Sequence, residues 1–205
     1  MLELFVSAFV TLFVIIDPPG CAPIFAGLTA GATAEHRRAM AVRAVVVAAL
    51  ILLVFALAGE PLLRALGIEL ASFRIAGGVM LFLIALEMVF EKRTQRREDR
   101  AAKITTEEAD DVSIFPMAMP MIAGPGSIAS VMLLTARSNG IEQTAVVMAA
   151  LAANLLLMLL SLLAAGPLMR VMGVKIEAVI TRLLGVLLAA LAVQFVIDGI
   201  MEQLR

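Results

Sequence analysis

The chain has 205 residues, 62% of them apolar, with a mean hydropathy of +1.03. Soluble domains are about 45–50% apolar, so this balance excludes an ordinary water-soluble fold and marks an integral membrane protein. With a net charge of −1, no Trp, no Tyr and no basic cluster interleaved with aromatics, no nucleic-acid partner is expected.

Apolar runs of about 20 residues mark spanning helices, and six can be drawn. The first, 4–28, begins after Glu3 with no Lys or Arg and no clean small-residue cleavage site, so it reads as a span of the mature protein rather than a secretory signal. It is interrupted by Asp17-Pro18-Pro19-Gly20 and resumes at Cys21. The prolines remove backbone donors. The carbonyls of residues 13–16 are therefore expected to lack partners, and N–H groups near Gly20, Cys21 and Ala22 are expected to open a new half-helix. Such groups in hydrocarbon must face protein, water or ligand, and a helix N-terminus suits a carboxylate. Asp17 at that depth costs about 2.5–3.5 kcal/mol. Three roles fit it: capping the second half-helix, binding a substrate ammonium, or carrying a coupling proton or sodium.

The second span is 40–58 and the third 73–90. Arg74 opens the third and is expected to snorkel to the interface, while Gly77 and Gly78 permit close helix approach. Segment 91–111 carries six basic residues and then Glu107, Glu108, Asp110 and Asp111, and reads as a solvated cytoplasmic linker between units 1–90 and 112–205. The fourth span, 113–134, is broken at Ala123-Gly124-Pro125-Gly126, with Pro116 and Pro120 upstream. The fifth, 145–165, carries Asn154 in mid-span, where an interhelical hydrogen bond or a place on the transport pathway both fit. Residues 166–180 read as a loop before the sixth span, 181–201. Glu87 and Asp198, near span ends, are expected to be reached by water.

The two breaks echo each other. Pro19 and Gly20 match Pro125 and Gly126 at an offset of 106, as Pro61–Ile68 matches Pro167–Val174; Arg74–Gly77 matches Arg182–Gly185 at 108. Three spans per copy is an odd number, so the expected architecture is an all-α membrane protein built of two inverted three-helix repeats. Their first helices, the first and fourth of the chain, are broken at mid-membrane. Paired broken helices point to a transporter's binding site. Twelve Lys and Arg fall on one side of this topology and four on the other, which by the positive-inside rule places both termini outside.

These residues set the expected site. Asp17, Pro18, Gly20, Cys21, Gly124, Gly126, Ser127 and Asn154 are the candidate substrate-binding residues, and Asp17 is the candidate ion-coupling residue. Small residues around both breaks suit close backbone approach to a small ligand. No metal site and no cofactor are expected, because one buried carboxylate is a thin cation site. No phosphate-binding loop is present, so coupling would come from a proton or sodium gradient. An enzyme is disfavoured: Ser127 stands where a second thiol symmetric to Cys21 would be, and the lone His36 lies in a loop. A divalent-cation or other small-ion or small-solute exporter is the alternative transporter. Lipid and a small-molecule substrate are the expected partners, and homo-oligomerisation stays open.

The chain resembles the MarC family at Ile16-Asp17-Pro18-Pro19-Gly20 with Pro23 and Phe25, at Phe115–Pro120 running into Ala123-Gly124-Pro125-Gly126, and at Arg74-Ile75-Ala76-Gly77-Gly78. The resemblance covers essentially the whole chain. It implies a six-span plasma (inner) membrane protein of the wider LysE-like superfamily, transporting small neutral amino acids such as glycine and alanine.

Overall fold

A computed structural model describes residues 1–90 and 111–204, and among them every regular element is helical. The expected linker lies outside the described residues except for Asp111. The helices are α1 (Leu2–Ile16), α2 (Pro18–Leu28), α3 (Ala34–Ala65), α4 (Leu70–Val89), α5 (Ser113–Ile122), α6 (Pro125–Ala136), α7 (Ile141–Leu163) and α8 (Ala165–Gln203). Among the described residues five stretches are long and apolar enough to cross a membrane, the first being Leu2–Leu28, and α5 with α6 makes a sixth if that bent pair is one span.

Both expected breaks are present, and their forms differ. Only Asp17 separates α1 from α2. A residue before proline is disfavoured in the right-handed helical region, and Asp is among the few non-glycine residues that tolerate the left-handed one; Asp17 takes φ 58, ψ 63. The second break bends the chain by 53° between α5 and α6. α5 is itself irregular, with extended backbone at Phe115 and Met119, the residues preceding Pro116 and Pro120; both of those X-Pro bonds are cis.

Residues 166–180 are helical rather than a loop. Pro167 stands in the first turn of α8, where its missing N–H has no helical partner to lose. The matched motifs therefore diverge in form: Gly67 turns the chain after α3 with φ 69, whereas Gly173 lies inside α8. α3 and α8, of 32 and 39 residues, are about 48 and 58 Å long and overrun a hydrocarbon core of about 30 Å.

Two apolar clusters fill the bundle. The larger joins α1, α2, α3, α5, α6 and α7 through residues such as Leu12, Cys21, Phe25, Leu52, Met117 and Met158. The smaller sets Val14 and Ile15 of α1 and Leu133 of α6 against α4 and α8. α4 and α8 run antiparallel, and one contact is made twice: a Cβ at Gly78 would meet the Ala192 carbonyl and Val196, and one at Gly185 would meet the Ala85 carbonyl and Val89. Each member of the first set lies 107 residues from its counterpart in the second. The packing register is thus one residue off the Arg74–Arg182 match. Consistent with this, Arg74 is buried and Arg182 exposed, while Thr181, 107 residues after Arg74, is buried.

Candidate functional site

The first break is closed by Asp17 itself. Its carboxylate, 1% exposed, accepts the Gly20 N–H at 3.1 Å, and its carbonyl accepts the Cys21 N–H at 3.1 Å. The Asp17 N–H donates to the Phe13 carbonyl at 2.9 Å, and the Cys21 thiol donates to the Ile16 carbonyl at 3.6 Å. The expectation of unpartnered groups on both sides of the break therefore fails at Phe13, Ile16, Gly20 and Cys21, because the left-handed turn folds the aspartate back over the new helix as its N-cap. Pro18 and Pro19 occupy the first helical positions, where no N–H is needed. Gly20 is small because a Cβ there would collide with the Asp17 carboxylate. Its space serves the cap.

At the second break no described side chain does the same. Ala123, at the position matching Asp17, carries no acceptor, and Gly124 caps α6 without a side-chain hydrogen bond. Gly126 and Ser127 follow as the second and third residues of α6, both buried, with Ser127 2% exposed. The small size of Gly124 is again internal to the fold, since a Cβ would strike the Pro120 carbonyl.

The structure brings the two breaks together. The Cβ position of Gly126 lies 3.4 Å from Ile15, two residues before Asp17, and 2.7 Å from Ile84 of α4. Cys21, Ala22 and Ala123 share the larger core cluster. Asn154 is fully buried and sits further along α1, where its Nδ2 donates to the Phe9 carbonyl at 3.1 Å and to the Ala150 carbonyl at 2.9 Å. That is the interhelical bond expected of it, and it leaves Oδ1, like the hydroxyl of buried Ser130, with no partner. No three His, Cys, Asp or Glu converge among the described residues.

A second polar constellation eluded the sequence reading. Arg74 does not snorkel; it is 8% exposed and paired with Glu202. Arg137 pairs with Asp198 and lies over the Phe195 ring at 5.0 Å, and Gln194 donates to Asp198 at 2.6 Å. The legible signal was the i, i+4, i+8 spacing of Gln194, Asp198 and Glu202, which places three polar groups on one face of a helix. At another end of the bundle Arg43 pairs with Asp111, and Arg37 reaches Gly166. Burial alone would raise the Asp111 carboxyl, but hydrogen bonding from Ser113 and the Arg43 guanidinium outweigh it and hold it below the usual carboxylate range.

The profile described as "MarC family integral membrane protein" matches residues 2–204. The chain is 38% identical to UPF0056 membrane protein MJ1677 of Methanocaldococcus jannaschii over 97% of both chains. It is 36% identical to UPF0056 membrane protein YvbG of Bacillus subtilis, over 98% of this chain and 95% of that protein. It is 33% identical to UPF0056 inner membrane protein YhgN of Escherichia coli over 95% of both. No solved structure matches it. With its helical spans, two broken helices and full-length likeness, the chain belongs to the MarC family of integral membrane proteins.

Proposed function

We propose that this protein is a secondary transporter of small neutral amino acids across the plasma membrane, driven by a proton or sodium gradient, with the paired breaks as its central site. The observation that carries this reading is the asymmetry of the breaks. A buried carboxylate stands at one, and at the other a buried helix N-terminus has no acidic residue as its N-cap, with Gly126 packed against Ile15, two residues before the aspartate. One site thus offers a negative group for an ammonium and a partial positive charge for a carboxylate, the two ends of a zwitterion. The Gly126 and Ser127 N–H groups and the Ser127 hydroxyl take the carboxylate. Asp17 takes the ammonium, or the coupling ion, in competition with its role as the cap of α2. Occupancy at Asp17 thereby loosens the joint between α1 and α2, a direct link between ion, substrate and helix movement. The protein does no covalent chemistry in this account.

The alternating movement is assigned to two inverted three-helix halves. The echoed prolines and glycines and the doubled contact between α4 and α8 support that assignment. The excess of basic residues supports an inner position for the end holding Arg37 and Arg43, with both termini outside. The test is uptake of labelled glycine or alanine into proteoliposomes, with pH and sodium gradients imposed separately. Uptake above protein-free vesicles under one gradient is expected. Neither uptake nor exchange of any small neutral amino acid under either gradient would contradict the reading.

A further inference from the structure

The constellation around Arg74 borders an open cavity of about 420 Å³ lined by Arg74, Arg137, Asp198, Met201 and Glu202. Small-molecule sites run from about 300 to 1,000 Å³, so it has room for one small amino acid with water. Its charges balance, two guanidinium groups against two carboxylates, and each is already paired. A ligand with a single charge that opened one of these pairs would leave the other member uncompensated. A ligand carrying both charges exchanges like for like.

One group in the wall is poised for such an exchange. Arg74 is more than nine-tenths buried, its Nη1 is on Glu202, and its Nε has no partner. A buried guanidinium with an unmet donor is matched by a planar carboxylate, which can accept two parallel N–H bonds. Asp198 and Arg137 are held in place by Gln194 and Phe195, so the opposite wall is also preset. Along α4, Arg74 precedes Leu81 and Ile84, the residues that touch Gly126, by about 10 and 15 Å at 1.5 Å per residue. The cavity is therefore separate from the breaks.

We propose that this cavity is a second binding site for a small zwitterionic amino acid, its carboxylate on Arg74 and its ammonium between Glu202 and Asp198. The proposal rests on the substrate class inferred above, but not on any role of Asp17. The probe is Met201→Cys in otherwise intact protein in detergent; Met201 is 54% exposed, and the native thiol Cys21 is fully buried. Glycine and alanine should slow maleimide labelling at position 201 severalfold, whereas equal concentrations of acetate or methylammonium should not. Arg74→Lys keeps the charge and loses the Nε donor, so it should abolish the protection; Asp17→Asn should leave it intact. Equal labelling with and without amino acid would overturn the site and leave the cluster a clasp between helices. Protection that survives Arg74→Lys, or that disappears with Asp17→Asn, would place the ligand elsewhere and overturn it as well. Protection without any transport would count against the central mechanism and leave this site standing.

Discussion

Asp17 holds two demands in one side chain. As a cap it satisfies an orphan donor, an interaction worth about 1 kcal/mol, and as a non-glycine residue at φ 58 it occupies backbone space closed to most residues. Asn satisfies both demands and Ala neither. Asp17→Asn should therefore melt in detergent close to wild type, while Asp17→Ala should lose roughly 2–3 kcal/mol from cap and backbone together. Equal melting of the two variants would show that the cap contributes nothing. Gly20→Ala should cost about 1 kcal/mol, because the added methyl displaces the carboxylate from its donor. The cap was among the roles the sequence allowed, since Asp followed by two prolines is local chemistry. Its geometry was not legible, because whether N–H groups meet a ligand or their own aspartate depends on a single backbone rotation at position 17.

The helices differ in how much of their form is local. The α1–α2 and α5–α6 breaks follow from proline positions and could be read directly. The continuation of α8 through 166–180 could not, because Gly166-Pro167 signals a loop or a helix start equally well until its neighbours are known. The packing of α4 on α8 is likewise a question of register. Both Gly77 and Gly78 were candidates for close approach. A Cβ at Gly78 would meet backbone atoms of α8, at 2.8 Å from the Ala192 carbonyl, while one at Gly77 would meet chiefly the end of the Leu133 side chain at 3.0 Å. Gly78→Ala should accordingly destabilise by about 1–3 kcal/mol, and Gly77→Ala by clearly less. Exposed Gly27 has open space around its Cβ position and should gain stability on replacement by Ala. Thermal melting of the three variants checks the order; Gly78→Ala as stable as wild type would rule out this packing.

For the molecule as a whole, the membrane class and the helical spans were legible because the bilayer imposes apolar composition residue by residue. The long-range ion pairs were not: Arg74 and Glu202 are 128 residues apart, and no local pattern reveals a partner at that distance. The Arg43–Asp111 pair ties the segment entering α5 to α3. Because the Asp111 carboxyl is depressed in the fold, its contribution is complete above the ordinary Asp value and fades as pH falls below about 4. Partial exposure keeps it small. Asp111→Asn should lower the melting temperature slightly at neutral pH and leave it unchanged in acid; the reverse order would contradict the assigned linkage. Transport through the paired breaks requires the buried carboxylate at the first break to couple ion and substrate. Gradient-driven uptake of glycine or alanine by Asp17→Asn in proteoliposomes decides this, with correct insertion and wild-type melting as controls. The predicted result is loss of gradient-driven uptake in a stable protein; wild-type rates in that variant would contradict it.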